Sequence, residues 1–203
     1  MNDHLLTRNY FNELANEWEQ NQCLEQSHIE YLLARLQLQQ FNSILDMGCG
    51  TGVLFPYLNK MTNSDTTIYG IDFADCMTRI AKNNSVDEIQ VVCGDAHKLP
   101  FSDNMFEMIV AFHVFPHFHR KLHALSECWR VLKLNGNLAI LHVHSSEEIN
   151  SIHAKIGGVV QNHTLPTAKK MSELMKRAGF SIINTIDRCG EYIVLAEKNG
   201  FYY

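Results

Sequence analysis

The chain has 203 residues, 46% of them apolar and 19% charged, and carries a net charge of −5. That length suits one domain with additions, which buries about 70% of its unfolded surface and needs no disulfide or metal staple to fold. The composition excludes a disordered chain. The acidic balance excludes a global electrostatic footprint for nucleic acid or an anionic membrane, and no apolar run is long enough to span a bilayer.

Residues 1–40 read as helical, with Phe11, Leu14 and Trp18 on one face and Ile29, Leu32, Leu33 and Leu36 on another. From residue 43 the period changes. The runs SILDM (43–47), TIYGID (67–72), IQVVC (89–93), FEMIVAF (106–112) and NLAILHV (137–143) predict strands separated by amphipathic stretches. The clearest of these stretches covers 119–132, on the spacing of Leu122, Leu125, Trp129 and Leu132. Strands apolar on both faces and alternating with helices predict a parallel sheet with helices on both sides. Met171, Leu174, Met175 and Ala178 predict a last helix over 167–178, ended by Gly179. FSIINTID and EYIVLAEK follow with only Arg188, Cys189 and Gly190 between them, too short for a crossover, so these two strands pair antiparallel.

Cys23, Cys49, Cys76, Cys93, Cys128 and Cys189 are dispersed, without a C-x-x-C pair. Such spacing predicts reduced thiols and a cytoplasmic setting. The N-terminus carries acids and amides where a secretory signal has an apolar core.

The strongest local signal is Ile44-Leu45-Asp46-Met47-Gly48-Cys49-Gly50-Thr51-Gly52, a glycine-rich turn between a predicted strand and a helix. Glycine allows a sharp turn and close approach of backbone to a ligand. Val53 stands where a dinucleotide turn has Gly or Ala, and there is no Gly-Lys-Ser/Thr of a P-loop, so a nicotinamide-dependent oxidoreductase is disfavoured. Asp46, Asp72 and Asp95 recur at matching ends of successive strands, where open α/β sheets bind ligands. Carboxylates there would repel a pyrophosphate but suit an adenosine with a cationic amino-acid tail.

With these motifs the chain resembles the class I S-adenosylmethionine-dependent methyltransferases, in the broad group that contains ubiquinone/menaquinone-type and other small-molecule enzymes. ILDMGCGTG, IYGIDFAD, CGDAHKLPF and FEMIVAFHVFPHF stand in the order of that family's first four motifs. The resemblance implies an α/β, Rossmann-like, doubly wound seven-stranded sheet, mostly parallel with an antiparallel last strand. It also implies S-adenosyl-L-methionine as cofactor and a small-molecule methyl acceptor. On this basis Asp46, Gly48, Gly50 and Gly52 surround the methionine part and Asp72 holds the ribose. Phe73 and Met77 lie beside the adenine, Asp95 and Ala96 meet its amino edge, and Phe112 with His113 borders the methyl group. Glu107 replaces the family's usual aspartate. A single domain is expected, with 1–40 as a helical lid, 41–143 as the cofactor core, and 144–203 as a substrate-wall segment, last helix and hairpin.

Methyl transfer from a sulfonium is an in-line displacement, so a base is needed only when the nucleophile must lose a proton. Eight of the 11 histidines fall between His113 and His163. His113, His117 and His144 are the catalytic candidates, His142 and His144 being expected on one strand face. His119 and His123 have helical i, i+4 spacing, but HRKLH lacks the glutamate of a zinc-enzyme helix, and no metal ligand set is assigned. The alternative reading is a non-catalytic S-adenosylmethionine-binding protein that regulates or carries metal through its histidines.

Overall fold

The computed structural model describes residues 3–18, 25–85 and 89–200; Cys23 lies outside them. The elements run α1 (Asp3–Leu14), α2 (Gln26–Ala34), β1 (Ser43–Met47), α3 (Phe55–Met61), β2 (Thr67–Asp72), α4 (Asp75–Asn84), β3 (Gln90–Cys93) and β4 (Phe106–Phe112). There follow α5 (Lys121–Val131), β5 (Leu132–His142), α6 (Ser146–Ile156), α7 (Ala168–Arg177), β6 (Phe180–Arg188) and β7 (Glu191–Lys198). The seven strands form one sheet in the order β3-β2-β1-β4-β5-β7-β6. β1 pairs in parallel with β2 and β4, and β4 with β5. β7 is antiparallel to both neighbours and lies between β5 and β6. The chain order thus reverses direction of travel at β1, between β2 and β4, which opens the crevice where such sheets bind ligands.

Alternation along the strands separates two cores. Leu45, Met47, Ile109 and Ala111 face one side, where α5 packs with Ala124, Leu125, Cys128 and Val131, and α7 with Met171 and Met175. Ile44, Met108 and Val110 face the other, against Ile29, Leu32 and Leu33 of α2 and Phe55 and Leu58 of α3. The buried stripe of α5 therefore lies one step from the predicted one. Leu122 and Trp129 are half-buried, and Leu132 already belongs to β5. β5 begins earlier than predicted because Asn135, at φ 63°, and the close-packed Gly136 form an irregular step in the strand. The Asp187 carboxylate joins two elements beyond the sheet edge. It accepts from the Ser146 N–H (2.9 Å) and Oγ (2.8 Å) and from the Ala168 N–H (3.0 Å), at the starts of α6 and α7. Among the described residues no helix is long and apolar enough to cross a membrane.

Candidate active site

The glycine turn after β1 is built by backbone geometry. Gly48, Gly50 and Gly52 have φ of +78°, +54° and +92°, a region that costs an L-residue about 1–2 kcal/mol. The N–H groups of Gly48 and Cys49 both donate to the Ile71 carbonyl, at 2.7 and 3.0 Å, so the turn is tied to β2. A Cβ on Gly48 would stand 2.2 Å from Val114 Cγ2, and one on Gly52 2.7 Å from the Phe55 ring. Gly48 and Gly50 line a cleft at the carboxyl ends of the strands. Gly52 serves the turn and the packing of α3.

Asp46, on β1, is 1% exposed, and its Oδ2 has no hydrogen-bond partner in the protein. Burial, with the nearby Asp72 carboxylate second, pushes its carboxyl up to about 8. Asp72 accepts the Gly50 N–H on Oδ2 (3.1 Å) and the Ala74 N–H on Oδ1 (2.9 Å). Burial raises it to about 6 against these hydrogen bonds. Asp95 follows β3. Burial alone would raise it, but hydrogen bonds from the His97 N–H and ring, and the neighbouring His97 and His4 rings, hold it below the usual carboxylate range. Phe73, Met77, Ala96 and Phe112 line the same cleft, as the motif order implies.

The histidines divide. His113 and His117 line the cleft; His144 does not. β5 ends at His142, so the strand alternation that would align His144 with it has stopped, and the expected shared face is not formed. His113 Nε2 accepts the Val143 N–H at 3.0 Å, which leaves Nδ1–H as the group it offers. Burial drives its pKa down to about 3. His117 is held well below its usual value by burial and then by the adjacent imidazoles His153 and His163. Its Nδ1 lies 3.0 Å from His163 Nδ1.

Two histidines of the cleft escaped the sequence reading, His4 and His97, while Trp18, on the expected lid, lines it as well. His97 sits inside the quoted motif CGDAHKLPF, so its position was visible, but its partnership was not. Its Nε2 accepts the Arg120 N–H at 3.3 Å, and its Nδ1–H therefore goes to Asp95 at 2.7 Å. His4 and Trp18 reach the cleft through packing of α1 on α4. Phe11 and Ala15 bury with Ala74 and Met77. Arg8 and Asn12 both donate to Asp75 Oδ1 at 2.9 Å, and Asn12 Oδ1 accepts the Cys76 N–H.

His142 is fully buried beneath the site, and neither ring nitrogen has a hydrogen-bond partner in the protein. Burial keeps it neutral, far below its usual pKa. An unpaired buried polar group costs about 1–3 kcal/mol. His142→Leu is therefore expected to raise the melting temperature by about 2–4 °C for each kcal/mol recovered. A scanning calorimeter would show it, and a lower melting temperature would mean that the imidazole is satisfied in solution.

Residues 45–140 match the family model of the methyltransferase domain, across the glycine turn and all three acids. That match spans just under half of the chain and makes this stretch similar to a methyltransferase domain. Among curated relatives, a Staphylococcus epidermidis demethylmenaquinone methyltransferase is 26% identical over 159 residues, covering 75% of this chain and 66% of its own. One from Thermotoga maritima is 36% identical over 100 residues, covering 49% and 43%. A Haemophilus influenzae malonyl-[acyl-carrier protein] O-methyltransferase is 28% identical over 137 residues, covering 66% and 52%. The matched part of the chain thus spans roughly two fifths to two thirds of these relatives' lengths. In fold, an Aquifex aeolicus S-adenosylmethionine-dependent methyltransferase superposes with a TM-score of 0.70 at 23% identity, over 86% of this chain and 94% of its own. The [4+2]-cyclase SpnF superposes at 0.69 with 20% identity, over 84% and 80%. A methyltransferase fold can therefore carry another reaction, and the chemistry has to be argued from the site.

Proposed function

We propose that the protein transfers a methyl group from S-adenosyl-L-methionine to a small-molecule acceptor in the cytoplasm. The observation that carries this reading is the buried, unpartnered Oδ2 of Asp46 in a cleft that also holds Asp72. Two carboxylates in a largely apolar cavity call for a cationic ligand with hydrogen-bond donors, and the cofactor's amino-acid ammonium and ribose hydroxyls answer both needs. Asp46, Gly48 and Gly50 would hold the amino-acid end, and Asp72 the ribose. Phe73 and Met77 would flank the adenine, with Asp95 and Ala96 at its amino edge. The five described cysteines are all free, in keeping with a reducing compartment.

When bound, the cofactor supplies an electrophilic methyl group on a sulfonium; the chain's own residues supply position and dryness. Phe112 and His113 border the methyl position, and His113 offers its Nδ1–H to orient the acceptor. His117 stays neutral at physiological pH, and its ring helps to position the acceptor in the cleft. Residues 1–40 act as the lid, with His4, Phe11 and Trp18 excluding water. Within the single domain, 41–143 form the cofactor core and 144–203 the substrate side. There the chain bends at Gly157 and Gly158, whose φ values are +72° and +59°.

Titration of S-adenosylhomocysteine into the protein by calorimetry, with Asp72→Ala alongside, tests the assignment. One-to-one micromolar binding is expected, weakened about 100-fold in the variant by loss of two charge-assisted hydrogen bonds. Equal binding in both proteins, or none to the wild type, would remove the basis of the proposal.

A further inference from the structure

Two groups of three side chains among the described residues bring ligand atoms within 4.8 Å of one another: Asp3, His119 and His163, and His4, Asp95 and His97. The second group is already saturated. His97 accepts the Arg120 N–H on one ring nitrogen and meets Asp95 with the other, so it has no lone pair left for an ion.

The first group is different. His119 Nδ1 lies 3.2 Å from Asp3 Oδ2. Two donors about 2.1 Å from a tetrahedral zinc stand about 3.4 Å apart, so this pair already has close to coordination spacing. His163 is 6% exposed, with Nδ1 facing His117 at 3.0 Å, its carbonyl against His153 Nδ1, and Nε2 buried without a protein partner. An ion pair between His119 and Asp3, whose side chain is 70% exposed, would stabilise little by itself and leaves that nitrogen unexplained. We propose that Asp3, His119 and His163 bind a divalent first-row transition ion, with His163 Nε2 as its buried ligand, and that the ion clasps α1 to the body of the fold.

The chemistry of the donors selects the ion. Two imidazoles and one carboxylate suit zinc, nickel or iron(II), whereas magnesium and calcium need oxygen ligands. Ligation through Nε2 places the His163 proton on Nδ1, from which it is donated to His117, the kind of outer hydrogen bond that orients metal-bound histidines. An open groove bordered by Leu6, Phe118 and Asn162 leads to the three ligands and gives an ion its path. The Lys121 ammonium on that groove is directed to the Pro116 and Phe118 carbonyls, at 3.2 and 3.0 Å. The ligands come from the start of α1, the turn before α5 and the segment after α6, so one ion ties three separate parts of the chain around the cleft.

The test uses metal-stripped full-length protein without cofactor, titrated with zinc chloride and, for its visible absorption, cobalt chloride. One ion per chain with micromolar affinity is expected, with tetrahedral-type cobalt bands and slower amide exchange across 3–14. Asp3→Asn alters an exposed side chain and should leave the ion-free melting temperature unchanged. It should weaken zinc binding by about tenfold or more and abolish the slowed exchange. His163→Ala should do the same, and His4→Ala should not. Absence of micromolar binding to the wild type, or binding indifferent to both Asp3→Asn and His163→Ala, would overturn the site. So would binding lost only in His4→Ala.

Discussion

Replacing Asp46 with asparagine is expected to move unliganded stability and cofactor affinity in opposite directions. Asp46 is held up to about 8 by burial and by Asp72, against about 4 in an unfolded chain. Between those values the native state binds more protons than the unfolded state, so stability falls as pH rises from about 4 to about 8. Neutral His113, His117 and the buried His142 act the other way, since their native pKa values lie below that of a free imidazole. Their contribution strengthens as pH rises to about 6.5 and is then complete. Above that point Asp46 acts alone among these groups. The melting temperature of the unliganded protein should therefore decline from pH 6.5 to 8, and Asp46→Asn should flatten the decline. At pH 8 the variant should melt about 3–10 °C higher, from about 1–3 kcal/mol of relieved burial. S-adenosylhomocysteine should bind it about 10- to 100-fold more weakly. Calorimetry in buffers of different ionisation enthalpy should show about one proton released on binding to the wild type near pH 7. A variant that binds the ligand as well as the wild type would mean that Asp46 faces something other than the ammonium.

Gly48→Ala is expected to be the most damaging single methyl group in the chain. The added Cβ would stand 2.2 Å from Val114 Cγ2 on a backbone at φ +78°. Left-handed strain of about 1–2 kcal/mol joins overpacking of about 1–3 kcal/mol, so denaturant unfolding should show a loss of about 2–5 kcal/mol. Val114→Gly in the same chain removes every clashing atom, including the Val114 Cβ that would stand 2.5 Å away, but not the backbone strain, and should recover about half. This coupling is readable in a double-mutant cycle. Purely additive losses would show that the turn rearranges rather than strains.

The glycine turn and the strand-end acids lining the cleft were legible because their determinants are local. A glycine at positive φ, an acid at a strand end and an apolar run on either side are all visible within a few residues of one another, as in Asp46 to Gly52. Each predicted strand formed, and the three-residue link at Arg188–Gly190 did make the last two antiparallel. The order in which those two join the sheet was not legible, because β7 carries apolar residues on both faces and could have occupied either place. The misses share one cause, dependence on distant partners. His4 and His97 line the cleft through α1 packing on α4 and through the Arg120 backbone, and periodicity contains neither. The expected shared face of His142 and His144 is not formed for a smaller reason, the end of β5 two residues earlier.

The insertion of β7 between β5 and β6 constrains how the polypeptide is born. β5 has one flank satisfied by β4, while its other flank, from Asn137 to His142, pairs only with Glu197 to Tyr192. A ribosome must therefore translate past Lys198 and release that stretch from its exit tunnel before the open edge of β5 can be covered. Until then the nascent chain presents an unpaired, apolar strand edge of the kind that invites aggregation. Completion of the sheet in this way waits for the last-made strand, and chaperones would meet the earlier nascent chain as a five-stranded sheet lacking both β7 and β6, which pairs only with β7.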